Sequence, residues 1–536
     1  MKNYELYNHI PVYTTKELLD FCANKYGIKE AFVYQNKKQD VSVSFDEFKA
    51  EVNALGSYLF YEGFKGCHIA LFGENSYEWI LTHFTVTCGG NVIVPIDKEL
   101  DADSIFELLT DSESKVLVYS STYADIAEQL QEKLMDITYI NMKDIPECIE
   151  KGEQLISEGY TEYIHAEVNK DDLASIVYTS GTTGKSKGVM LTHNNFCSCM
   201  YGACCNVLLT GASLLVLPLH HTFGLVASVF AVMHYGYPIY INKSLKKLPD
   251  DFKKCKPQHL FAVPLIVETL YKNIWATAKK QGKDKVLKVL IKISDTLLKF
   301  KIDLRKVLFK SVISAFGGNI DLIVSGGAPI DAKYIKEFES LGITVLNGYG
   351  ITECGPIVAV NRNKFNVVGS VGLPLCCNDV KIADDGEVLV KGDNVMLGYY
   401  HNDTENEKVF VDGWFKTGDI GYLDEYGALH ITGRIKNLII LGNGENIPAE
   451  AIEEQIYTIP YVKEVICYGK DNIIIAEVYL DEEVTDAKDR INADIQIVNQ
   501  HLPQIRNIGN VIVRDTEFPK TTTKKIKRNL GGKEND

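Results

Sequence analysis

No stretch of this 536-residue chain reaches the roughly 18 consecutive apolar residues that a membrane-crossing helix needs. Its first residues, MKNYELYNHIPVYTTKELLDF, have no apolar core and carry acids, so a signal peptide is not expected. Cys-x-x-Cys pairs are missing from the 13 cysteines. The cluster Cys197, Cys199, Cys204 and Cys205 has no histidine pair at ligand spacing, and it reads as core packing rather than a metal site. An odd cysteine count without a secretion signal fits reduced thiols, and the expected location is cytoplasmic. Positive charge is also short: 56 basic against 71 acidic residues give a net charge of −15. That balance argues against a nucleic-acid partner. What remains is an ordinary globular composition, and a length too great for one hydrophobic core, which implies at least two domains.

The most informative stretch is Tyr178–His193, YTSGTTGKSKGVMLTH. The run Leu173–Tyr178 before it is apolar and β-branched and reads as a strand. Thr192 or Asn194 after it suits a helix N-cap. Between them lie Thr179, Ser180, Gly181, Thr182, Thr183, Gly184, Lys185, Ser186, Lys187 and Gly188. Glycines admit close approach of an anion to backbone N–H groups, hydroxyls add donors, and lysines add charge. A polyphosphate is the ligand such a loop suits. It is not a Walker A loop: Gly184-Lys185-Ser186 is present, but Thr179 stands where the first glycine belongs. The loop resembles the signature Y-T-S-G-[ST]-T-G-x-P-K-G-V of the adenylate-forming superfamily (acyl-CoA synthetases, firefly-type luciferases and peptide-synthetase adenylation domains), with Ser186 replacing the usual proline.

The rest of the chain alternates strands and helices, the pattern of parallel-sheet α/β structure. Ser44-Phe45-Asp46-Glu47 is a capping box that opens a helix. His68–Phe72, Asn91–Ile96 and Lys115–Tyr119 read as strands, and Tyr77–Cys88 and Asp103–Thr110 as helices. Leu214–Leu219 reads as a buried strand running into His220-His221-Thr222-Phe223-Gly224. Further strands are expected at Pro238–Ile241 and Leu260–Pro264, with a helix from Leu265. Ile320–Pro329 places a strand before Gly326, Gly327, Ala328 and Pro329, small residues against which a flat ring can lie. Val345–Glu353 gives a strand and loop bearing Asn347, Gly348, Tyr349, Gly350, Thr352 and Glu353. There Tyr349 can stack on a base, Thr352 can bond a phosphate oxygen, and Glu353 is a hard oxygen ligand suited to Mg²⁺. Gly433–Asn437 reads as a hinge, and the strands and helices after it make a domain of about one hundred residues.

Five motifs in order extend the resemblance over about residues 10–530, most like the long-chain fatty acid–CoA ligases. It implies a large N-terminal domain of α/β subdomains (residues 1–432), a small mobile α/β C-terminal domain (433–536), and an active site between them. The cofactors implied are ATP and Mg²⁺, with coenzyme A as co-substrate. Thr179–Gly184 and Lys187 would hold phosphates, Gly326–Pro329 and Asn347–Gly350 the adenine, and Glu353 the metal. By the same resemblance Asp419 would accept the ribose hydroxyls, Arg434 would reach ribose or phosphate, and Lys436 would be the pivot. The pattern P-[KR]-T-x-x-G-K places the catalytic lysine at Lys525, with Lys524 replacing the glycine. His221 would sit beside the acyl carboxylate and Thr352 would assist catalysis. The Gly442–Gly444 turn would reach the thiol tunnel after a domain rotation. The implied activity joins a medium- or long-chain fatty acid to coenzyme A, releasing AMP and pyrophosphate. Transfer to a carrier protein, an aryl or other small acid, and a non-catalytic lipid-binding role are the alternatives.

One stretch stands apart. Lys279–Lys310 holds eleven basic residues against Asp284, Asp295 and Asp303, a local charge of +8. Val286, Leu290, Ile293 and Leu297 recur in it at helical spacing. A solvated amphipathic helix and a reversible contact with an anionic membrane, on the inner membrane face, both fit this composition.

Overall fold

The computed structural model describes residues 3–37, 39–180, 186–242, 244–440, 446–520, 526 and 528. The chain divides into two compact units. Residues 1–379 and 390–415 make the first, and residues 380–389 and 416–536 the second. The expected boundary at 432/433 falls inside the second unit.

Two large sheets organise the first unit. In the seven-stranded sheet, His68–Phe72 runs parallel to Val92–Ile96 on one side and Val116–Tyr119 on the other. Ser76 caps the Tyr77–Cys88 helix through Trp79 N, and every residue of that helix but Glu78 is buried. The capping box at Ser44 and Glu47 is present in full. A nine-stranded sheet takes Ser213–Leu215, His259–Ala262, Leu322–Ser325 and Thr344–Gly350 side by side. Its parallel strands end together at the segments that carry the glycine-rich and Tyr349 motifs, as ligand-binding ends of α/β sheets do.

The strand expected over Leu214–Leu219 stops at Leu215. Pro218 has no N–H for a ladder, and the Asn75 side chain takes the carbonyl of Leu217 (2.7 Å) and the N–H of Leu219 (3.0 Å) instead. Asn75 thereby fixes the loop that presents His220 and His221.

In the second unit, Val462–Lys470, Ile473–Leu480 and Ile508–Arg514 form a three-stranded sheet. The Ala449–Ile456 and Ala487–His501 helices pack on it through Ile452, Ile456, Ile491 and Ile495.

Candidate active site

Leu173–Ser180 and Ser186–Thr192 pair as an antiparallel hairpin, with Tyr178 opposite Gly188. The returning strand is too polar at Ser186-Lys187-Gly188 to announce itself by composition. Thr192 then caps the His193–Asn206 helix, its hydroxyl accepting from Asn195 N. Gly181, Thr182, Thr183, Gly184 and Lys185 lie outside the described residues, as does the side chain of Ser180. Thr179 is half-buried at the end of the first strand.

Lys187 is described, and it leads to residues that the sequence did not flag. Its ammonium lies 2.5 Å from Glu405 Oε1 and 5.0 Å from the centre of the Tyr399 ring. The Tyr399 hydroxyl donates to Glu353 Oε1 at 2.8 Å. A polar chain Glu405–Lys187–Tyr399–Glu353 therefore joins this hairpin to the predicted metal ligand. The contact is built by Gly398-Tyr399, which pairs with Val189–Met190 as an added strand. The ion pair with Lys187 holds the Glu405 carboxyl below the usual range. Burial first, then the Glu353 charge, raises the Tyr399 hydroxyl, so it stays a neutral donor. Among the described residues Glu353 Oε2 has no protein partner, although the side chain is half-buried. A half-buried carboxylate with one oxygen uncommitted fits a hard cation such as Mg²⁺. Thr352 is half-buried beside it, in the short 3₁₀ turn Thr352–Cys354.

The glycine motifs share one cavity of about 650 Å³, counted with its open mouth. Gly326, Gly327, Gly348, Tyr349 and Gly350 all line it. Gly350 must be glycine: a Cβ there would sit 2.1 Å from the Pro356 carbonyl oxygen. Gly327 takes φ +84°, which side chains other than glycine rarely adopt. Ala328 is half-buried and Pro329 exposed just beyond. Asn347 is buried behind this wall, donating to the Ser370 carbonyl at 3.1 Å.

The opposite wall is the helical stretch Thr222–Tyr235, whose middle, Val226–Ala231, widens into a π-helix. Ala227 and Ala231 leave room there. The Tyr235 hydroxyl is spent on the carbonyls of Val207 (2.9 Å) and Cys204 (3.1 Å), so the far end offers ring carbon rather than a polar tip. None of the described lining residues is charged. Fully buried Ser325 Oγ has no hydrogen-bond partner among the described residues.

His221 is half-buried at the start of the same helical stretch. Its ring lies 4.3 Å, centre to centre, from that of His220. With Asp97 the two histidines bring their ligand atoms within 4.8 Å of one another. His220 Nε2 stands 3.4 Å from Asp97 Oδ1. Burial, then His221 and Lys98, push the His220 imidazole well below its ordinary pKa, so it is neutral at physiological pH. Asp97 comes from the loop after the Val92–Ile96 strand, far away in sequence.

In the second unit Asp419 is buried, at 1% exposure, and lies 2.8 Å from Arg434 Nε. The two residues are cross-strand partners in register. Lys436 is exposed in the turn Ile435–Asn437. Gly442, Gly444 and Lys525 lie outside the described residues. The flanks of Lys525 are anchored. Lys520 pairs with Ile526 in an antiparallel bridge. Phe518 is buried and its N–H donates to Glu464 Oε2 at 2.7 Å. Arg528 forms an ion pair with buried Glu453, whose carboxylate also accepts from Cys467 N at 2.7 Å.

The AMP-binding enzyme family matches residues 19–400. The long-chain-fatty-acid–CoA ligase FadD15 of Mycobacterium bovis is 30% identical over 428 residues, 75% of this chain and 71% of its own. A 2-succinylbenzoate–CoA ligase of Listeria monocytogenes is 29% identical over 513 residues, 93% of this chain and 95% of its own. Among solved structures, the O-succinylbenzoate coenzyme A synthetase (MenE) from Bacillus subtilis in complex with ATP and magnesium ion is similar at a TM-score of 0.71. The two are 25% identical, over 95% of this chain and 98% of that one.

Proposed function

The chain belongs to the AMP-binding enzyme family, and on that premise we propose that it is an ATP-dependent acid–thiol ligase acting on a medium- or long-chain fatty acid and coenzyme A. In the first half-reaction a carboxylate oxygen attacks the α-phosphorus of ATP. The bond from that phosphorus to the bridging oxygen breaks, and pyrophosphate leaves an acyl-adenylate behind. Such a transfer is accelerated mainly by positioning and charge neutralisation. Thr179–Gly184 and Lys187 would hold the phosphates, Lys525 would bridge carboxylate and α-phosphate, and Asp419 and Arg434 would take the ribose. His221 would orient the carboxylate and Thr352 a phosphate oxygen. Mg²⁺, held by Glu353, would neutralise phosphate charge. In the second half-reaction the thiolate attacks the acyl carbon and AMP departs, with the Gly442–Gly444 turn serving the thiol.

The observation that carries the choice of acid is that no described residue lining the cavity between Gly326–Gly327 and Thr222–Tyr235 is charged. Ligand pockets are lined mainly by apolar side chains with a few polar groups, and this lining rewards methylenes. A 2-succinylbenzoate would bring a second carboxylate into it, and burying that charge without a partner is costly. The experiment is pyrophosphate release over a panel of straight-chain, aryl and dicarboxylic acids, with and without coenzyme A. Highest turnover with medium or long straight-chain acids supports the reading; preference for an aryl acid overturns it. Absence of release with every acid would leave a lipid-binding protein. Parallel assays of acyl-CoA and acyl-carrier-protein formation separate the two thiol acceptors. All 13 cysteines are free thiols, which suits the cytoplasmic location we propose. No helix among the described residues is long and apolar enough to cross a membrane, and any membrane contact we propose is peripheral.

Two variants test assigned roles. Glu353→Gln keeps an acceptor for the Tyr399 hydroxyl but removes the charge. The Mg²⁺ concentration for half-maximal pyrophosphate release should rise by roughly tenfold or more. An unchanged Mg²⁺ titration removes Glu353 as the ligand. Lys436→Pro tests the pivot, because proline fixes φ at the residue that must rotate. Opposing that rotation by about 3 kcal/mol should slow thioester formation by roughly a hundredfold and leave adenylation near normal. Equal loss of both half-reactions would count against a pivot there.

A further inference from the structure

The basic stretch forms a helix, Asp284–Lys299, whose apolar arc is wider than the core covers. Leu287 and Ser294 are buried, and Leu290 and Ile291 are partly buried against the surrounding core. Val286, Val289 and Ile293 stay 55%, 55% and 43% exposed. With Phe300 at the helix cap, 72% exposed, they recur at the spacing of one helical stripe. Lys285, Lys288, Lys292 and Lys299 repeat the same spacing one residue earlier, and all four are exposed. An apolar row and a cationic row therefore run side by side on the outer surface. The apolar row continues into Ile302, Leu304 and Val307, the last 74% exposed.

The lysines are not neutralised locally. Among the described residues none of those between Lys279 and Lys310 forms an ion pair; Arg305 alone does, with Asp303 and Glu339. Lys288 reaches only the Trp275 ring, 5.8 Å away. A helix with cations beside exposed Val, Ile and Phe suits the boundary between lipid headgroups and acyl chains. A patch of +8 on a chain of −15 also fixes orientation, because an anionic surface attracts this face and repels the rest.

We propose that the Asp284–Phe300 face docks reversibly on an anionic phospholipid surface, lysines to the headgroups and Val286, Val289, Ile293 and Phe300 into the interface. The docking stands apart from the ligase chemistry; its test reads lipid binding, with pyrophosphate release only as the control that the variants are folded. Full-length protein is sedimented with vesicles of pure phosphatidylcholine and of phosphatidylcholine with phosphatidylserine, at low and high salt. Expected is binding to the anionic vesicles only, lost at high salt because charges beyond about 10 Å are screened at 0.1 M. Each lysine at such a surface strengthens partitioning by roughly fivefold. The combined variant Lys285→Gln, Lys288→Gln, Lys292→Gln and Lys299→Gln should therefore bind roughly 600-fold more weakly. The variant Val286→Ser, Val289→Ser, Ile293→Ser and Phe300→Ser should also lose binding, while pyrophosphate release with a soluble medium-chain acid stays at the wild-type rate for both. Equal sedimentation with neutral and anionic vesicles, or full binding by the glutamine variant, overturns the proposal. So does concentration-dependent self-association that the serine variant abolishes, since a second copy would then cover this face.

Discussion

Lys525→Ala should lower adenylate formation by roughly 10²–10³-fold, the cost of removing one preorganised group that stabilises transition-state charge. Thioester formation from supplied acyl-adenylate and coenzyme A should continue at a near-normal rate. Negative charge builds on the α-phosphate only while the carboxylate attacks it, so a cation placed there has no task once the anhydride exists. The neighbouring Lys524 competes for this assignment, because it stands where the family pattern has glycine. Lys524→Ala is the control, and a selective loss of adenylation in that variant instead would shift the register by one. Both substitutions sit inside a segment whose flanks are tied down independently, by Phe518 and Lys520 on one side and Arg528 on the other. The anchors named are left in place by both, so a selective kinetic defect without loss of thermal stability is the expected signature. Arg528→Ala would act differently. It would leave the buried Glu453 carboxylate without its cation, and leaving a buried charge uncompensated is a stability defect.

Local elements were legible wherever an apolar run had a defined start. Ser76 caps the Tyr77–Cys88 helix, and the strands His68–Phe72 and Ile473–Leu480 lie where their runs of apolar residues put them. Legibility failed where distant side chains replaced the ladder, as Asn75 does at Leu217 and Leu219. It failed again where polar residues sit in a strand, as Ser186-Lys187-Gly188 do. Tyr399 and Glu405 belong to no motif; they reach Lys187 only because Gly398-Tyr399 adds to the hairpin edge. Asp97 likewise meets His220 across a gap in sequence that periodicity cannot bridge. In the Asp284–Lys299 helix the repeat was legible, and Leu287 and Leu290 do pack on the core, but Val286 and Ile293 of the same repeat stay exposed. A helical repeat says which residues share a side, and only the neighbouring elements decide how much of that side is buried.

Ala231→Phe should exchange the enzyme's preference along the acid series. Ala231 is buried, at 4% exposure, and faces the cavity from the π-helical turn. A phenyl ring there occupies space that otherwise accepts chain. If it displaces about three or four methylenes, each worth roughly 0.8 kcal/mol on burial, the longest acids lose about 3 kcal/mol of binding in the transition state. Their kcat/KM should fall on the order of a hundredfold, while acids short enough to end before the ring keep theirs. The new side chain enters open volume rather than packed core, so the overpacking penalty should stay near the low end of about 1–3 kcal/mol. Thermal unfolding checks this directly. Ala227→Phe, one π-turn earlier on the same wall, gives an independent second reading. KM for ATP is read beside it in both, because Gly326, Gly327 and Tyr349, assigned to the adenine, line the opposite wall of the same cavity; a change confined to the acid series places the obstruction on the acyl chain. A chain-length profile unchanged in both variants, with their stability intact, would place the acid somewhere other than this cavity and remove the fatty-acid assignment.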